Sequence, residues 1–164
     1  MVGNPVLSRS LALARVDFAP THRPPAAARL LVATAVALVG SLFADAILVA
    51  VGEAAFPATK GYVHFAFSDY AKLTVIGVVI ACLAWPIVTR VSSSPRRLFF
   101  RLAILVTLVL LLPDLYILNQ GQSVKAVAVL MCMHVAITLV TYNALVRLAP
   151  VRIRRNLSKV STDV

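Results

Sequence analysis

Four windows of this chain, residues 30–51, 70–89, 98–118 and 126–146, carry few charges, and each runs for about the 20 residues that a helix needs to cross a hydrocarbon core of about 30 Å. Lipid offers no water to backbone amides and carbonyls, so a crossing segment must satisfy them within itself, and runs of this length do so as helices. The connections are short: an outer loop at 52–68, a basic loop at 90–97, and Asn119-Gln120-Gly121-Gln122-Ser123, which has the composition of a reverse turn. The expected fold is all-α, a transmembrane four-helix bundle over residues 29–148, between a basic N-terminal segment at 1–28 and a basic tail at 149–164. No stretch is left for a soluble domain.

Composition agrees with lipid as the solvent. Hydrophobic residues make up 60% of the chain and charged ones 13%, and the mean hydropathy is +0.91; a water-soluble domain this apolar would expose patches that drive aggregation. A net charge of +10 would make nucleic acid a candidate partner of a soluble protein. Here the basic residues flank the apolar runs, and none interleaves with aromatics on a separate domain, so no nucleic-acid partner is expected.

The same charges orient the bundle. Arg9, Arg15, Arg23 and Arg29 precede the first window, Arg90, Arg96, Arg97 and Arg101 surround the second connection, and Arg147, Arg152, Arg154, Arg155 and Lys159 follow the fourth window. Thirteen of the 16 Lys and Arg thus lie on one side, leaving Lys60, Lys72 and Lys125 on the other. The positive-inside rule puts the richer side, with the N-terminus and the C-terminus, in the cytoplasm. Ala44-Asp45-Ala46 superficially resembles a signal-peptide cleavage site, but the apolar run continues through Val51 and 29 residues precede it, so the first window reads as a span. In the N-terminal segment Leu7, Leu11, Ala14 and Phe18 have helical spacing before Pro20, Pro24 and Pro25, which allows either a short interfacial helix or a basic tail. The tail after Arg147 reads as a basic stop followed by disorder.

Ionisable residues inside spans cost about 2.5 to 3.5 kcal/mol each at a helix centre, so each asks for a partner or a role. Asp45, Asp69, Lys72, Asp114 and Lys125 all fall in the outer half. Asp45 and Asp114 lie near helix C-termini and Lys72 and Lys125 near N-termini, the unfavourable end of each dipole. Pairing of Asp45 and Asp114 with Lys72, Lys125 or both would offset these penalties, and His134 joins them as a polar intramembrane cluster. Asp69, after Ser68, reads as part of an N-cap. Ala33, Ala37, Ser41 and Asp45 recur every four residues, a helix-packing stripe that points Asp45 inward. Thr107 shares a face with Asp114, and His134 with Thr138 and Thr141.

His134 stands near the centre of its span, where an imidazole can bridge two partners or exchange a proton; with no acid at its own depth in the sequence, a packing role is expected. No set of ligands for a metal has helical or turn-like spacing, His64 and Glu53 included, and no cofactor is implied. Cys82 and Cys132 lie within apolar runs and form no CxxC pair. Phe56, Tyr62, Phe65 and Phe67 in the outer loop read as an aromatic belt, with a lid over a lipid groove as the alternative. Pro86 beside Trp85 and Pro113 beside Asp114 each free a backbone carbonyl, the second next to an acid.

With four spans, the basic loop around Arg96 and Arg97, and the dipeptide Met133-His134 in the last span, the chain resembles an uncharacterised family of small four-span membrane proteins of high-GC bacteria, over roughly residues 29–148. The resemblance implies a fold and no activity. The chain differs from small multidrug-resistance transporters in its one-sided charge and in lacking a glutamate in the first span. It also lacks recognisable signatures of four-span glutathione-dependent enzymes.

No nucleophile with its base and no phosphate loop can be identified, so no enzyme is expected. The sequence reads as a multi-pass protein of the bacterial plasma membrane, an accessory or structural subunit packing against a larger protein partner or against itself as a homo-oligomer, with membrane lipids around it. The alternative is a small transporter or proton-coupled carrier using the outer polar cluster.

Overall fold

The structure, a computed structural model, describes residues 22–153. It contains helices α1 (Ala27–Ala55), α2 (Phe67–Val91), α3 (Pro95–Asn119) and α4 (Val124–Leu148). Each encloses one of the apolar windows and runs past it at both ends, and each has the length and apolarity to cross a membrane, with a mean hydropathy of 2.0 to 2.2 over its best stretch. Pro95 opens α3 at its first turn, where a missing N–H costs nothing. Gly121, with φ at 84°, makes the reverse turn into α4. The α1–α2 connection folds into two short 3-10 turns, Pro57–Thr59 and Val63–Phe65.

The helices alternate in direction, but their neighbours are not in sequence order. The antiparallel pair α1 and α4 forms the most extensive contact, with α2 packed against α1 and α3 against α4. Small residues make the central pair close. Ala33, Ala37, Ser41 and Asp45 are all fully buried along α1. A Cβ on Gly52 would stand 2.8 Å from Cγ2 of Val129, and one on Gly40 would stand 3.0 Å from Cγ1 of Val140.

Two apolar clusters fill the bundle. Trp85, Phe99, Leu145 and Val78 form one with Ala33 and Ala37 at the end that carries the basic loop. Phe65, Tyr70, Val129, Leu130 and Met133 form the other beneath the outer loop. On the outside, Leu31, Phe43, Leu73, Leu83, Leu105 and Leu112 are all more than half exposed, an apolar surface suited to acyl chains. The tail departs from the disorder expected of it at one point: Arg152–Ile153 pairs antiparallel with His22–Arg23. The reason is topological, since the start of α1 and the end of α4 emerge side by side. The helix expected through Leu7 to Phe18, and the tail beyond residue 153, lie outside the described residues.

Candidate functional site

Polar residues of the four helices meet in separate pairs inside the bundle, and the direction of each helix explains how. Helical Cβ atoms tilt toward the N-terminus. The acids of α1 and α3 therefore lean toward the basic end, while polar groups on the oppositely directed α2 and α4 lean away from it. Groups at different backbone depths thus converge. Asp114 stands about 8 Å from the end of α3 and His134 about 15 Å from the start of α4 along the helix axes. Even so, His134 Nδ1 lies 3.1 Å from Asp114 Oδ2. Nδ1 is also 3.0 Å from the carbonyl oxygen of Leu130. The hydrogen bond of Nδ1 goes to the Leu130 carbonyl oxygen, and Asp114 Oδ2, though close, is buried with no hydrogen-bond partner among the described residues.

Asp45 is fully buried and accepts a hydrogen bond of 2.6 Å from the Thr74 hydroxyl. Its other oxygen, Oδ1, is buried with no hydrogen-bond partner among the described residues. Toward the basic end the groups that meet are hydroxyls. Thr107 donates to the carbonyl oxygen of Ala103 at 2.8 Å, so the 2.6 Å contact between Thr107 and Thr138 has Thr138 as donor. Ser41 and Thr141 lie 3.4 Å apart across the central helix pair.

The lysines stand apart from these pairs, and the expected pairing of Lys72 and Lys125 with the acids is not made. Lys125 is exposed, with its ammonium 5.1 Å from the centre of the Phe56 ring. Lys72 is exposed as well. It sits two positions from Thr74, hence on nearly the opposite face of α2, and a long lysine reaches the headgroup layer at little cost. Asp69 also departs from expectation: α2 begins earlier, with Ala66 as its N-cap, so Asp69 lies within the first turn, where the helix dipole still favours it.

Above the acids the outer loop turns inward. Tyr62 packs edge-on against Phe65 and His64, with ring centres 5.2 and 5.3 Å away, and Phe65 is buried. The Tyr62 hydroxyl is itself buried with no hydrogen-bond partner among the described residues. Burial pushes its pKa above the ordinary phenol value, and the negative charge of Asp114 acts in the same direction. Among the described residues no three His, Cys, Asp or Glu side chains converge as metal ligands would.

Residues 21–150 match the model of a family described only as of unknown function, DUF6069. No curated protein and no solved structure matches the chain.

Proposed function

The chain belongs to this family of unknown function, and we propose that it is a small proton-coupled carrier of the bacterial plasma membrane, not an enzyme, whose working centre is Asp45, Asp114 and His134. The observation that carries the proposal is the 3.1 Å contact of His134 with Asp114. The reason for expecting His134 only to pack was the lack of an acid at its depth, and this contact removes it. Two carboxylates and an imidazole inside the bundle, with Lys72 and Lys125 turned away, give it groups of the kind that exchange protons within membranes. The hydroxyls of Thr138, Thr107, Thr141 and Ser41 both donate and accept, which suits them to passing a proton toward the basic end.

The test is proton movement in reconstituted vesicles under an imposed membrane potential. The parent should carry protons above the level of empty vesicles, and His134→Gln, which preserves hydrogen bonding but cannot titrate, should abolish the flux with thermal stability retained. Equal flux in parent and variant would overturn the proposal, as would a parent no more conductive than empty vesicles. A second reading, an accessory subunit that packs against a larger partner or a second copy, draws on α3, which exposes Leu105, Leu108, Leu112 and Tyr116. Stoichiometric co-purification of one membrane protein in mild detergent, unaffected by His134→Gln, would favour it.

A further inference from the structure

At the basic end, Arg96, Arg97, Phe100 and Arg101 of α3 and Tyr142 of α4 line an open cleft of about 210 Å³. We propose that this cleft binds the phosphate headgroup of an anionic phospholipid. Charge is the first argument. The acids among the described residues are Asp45, Glu53, Asp69 and Asp114, and all belong to the opposite half of the bundle. Among the described residues Arg96 and Arg97, both exposed, therefore face no carboxylate at their own end, and a planar guanidinium pair suits the oxygens of a phosphate.

Position is the second argument. Arg96 and Arg97 occupy the first turn of α3, where the helix enters the apolar layer, the level at which lipid phosphates lie. Shape is the third. Phe100 meets Tyr142 edge-on at 5.5 Å between ring centres, and Phe99 stacks on the same Tyr142 ring at 5.9 Å. Phe99 in turn packs 5.0 Å from Trp85, whose Nε1 donates to the carbonyl oxygen of Ala149 at 2.9 Å. The cleft thus has a rigid aromatic wall below its arginines, a surface for the glycerol and first methylenes of a lipid. The inference rests on the membrane assignment and is independent of proton coupling.

Purified protein is equilibrated with mixed detergent micelles containing phosphatidylglycerol or phosphatidylcholine, and retained lipid is counted by native mass spectrometry. The parent should retain phosphatidylglycerol at least tenfold better than phosphatidylcholine. Arg96→Gln/Arg97→Gln should lose most of that preference. Arg90→Gln/Arg147→Gln, an equal loss of charge from the same end outside the cleft, should keep it. Because removing two arginines also weakens the orientation signal, Arg96→Lys/Arg97→Lys, which preserves charge, serves as the second variant and should bind severalfold more weakly than the parent. Inorganic phosphate with phosphatidylcholine should not substitute; if it raised thermal stability as much as phosphatidylglycerol does, the ligand would be free phosphate and the lipid proposal would fail. Equal retention of the two lipids by the parent, equal losses in the two glutamine variants, or parent-like binding by the lysine variant would each overturn it.

Discussion

At the residue scale, the cost of placing an ion in lipid decides which side chains must find a partner inside the bundle. Asp45 and Asp114 stand out because an anion inside lipid is costly, and that cost is visible in one dimension; with its helix running to Ala55, Asp45 lies too far from the C-terminus for the helix dipole to add to it. Their partners depend on lean and face. Lys72 is the nearest charge along α2, yet Thr74, two positions on and facing the other way, is the residue whose hydroxyl reaches Asp45 at 2.6 Å. Along the chain His134 is isolated because its backbone depth differs from that of Asp114, and opposite helix directions bring the two side chains together. Adding the N-terminal tilt of each side chain to its depth would have found both contacts. The distinction is measurable. Asp45→Ala should destabilise the protein by about 2 kcal/mol, since it strands a buried hydroxyl and opens space. A double-mutant cycle of Asp45→Ala with Thr74→Val should give a coupling of about 1 kcal/mol, within the range for interhelical hydrogen bonds in membranes. The same cycle with Lys72→Gln should give none. Unfolding in detergent or bicelles reads both, and coupling to Lys72 instead of Thr74 would contradict the geometry.

At the scale of elements, the α1–α4 contact organises the bundle, and it was half legible. The stripe of Ala33, Ala37 and Ser41 shows in its four-residue spacing, and all three are fully buried. Spacing does not say which helix they face, and Gly40 and Gly52 on α1 carry no periodic signal of their own. Their role follows from what they touch. Lipid gives no hydrophobic drive to bring helices together, so close van der Waals contact between backbones carries much of the association, and a side chain that holds them apart is felt directly. Gly52→Ala would place Cβ 2.8 Å from Cγ2 of Val129, a branched side chain with little freedom to move, and should cost about 1 to 3 kcal/mol as overpacking. Val129→Ala in the same chain should recover much of the loss. Gly77→Ala is the control: nothing lies within 4 Å of its added Cβ, so the gain in helix propensity, up to about 1 kcal/mol, should leave it neutral or more stable. Thermal unfolding of the three variants beside the parent tests the set, and a Gly52→Ala protein as stable as Gly77→Ala would remove the close contact from the account.

At the scale of the molecule, span number and limits follow from hydropathy because lipid thickness fixes helix length and backbone satisfaction fixes helix as the form. The spatial order, with α1 and α4 central and α2 and α3 flanking, does not, since short connections only require neighbours in sequence to be antiparallel. That order carries a consequence for topology. It places the start of α1, the α2–α3 connection and the end of α4 at one end of the bundle, joined by the backbone pairing of His22–Arg23 with Arg152–Ile153. By sequence position the basic residues of the richer side precede α1, surround the α2–α3 connection or follow α4, so a reversed insertion would carry thirteen of the 16 Lys and Arg across the membrane. The cell's rule for short basic loops then predicts one orientation with no mixture. In a background of Cys82→Ala and Cys132→Ala, which removes both free thiols, Ser93→Cys reports the basic connection and Gln120→Cys the turn at the other end, both exposed positions. A membrane-impermeant maleimide should label Gln120→Cys in intact cells and Ser93→Cys only after the membrane is opened. Labelling of Ser93→Cys alone in intact cells would turn the molecule over, and with it the direction assigned to proton movement and the leaflet that supplies lipid to the arginine cleft; labelling of both would mean that the charge asymmetry does not orient this bundle.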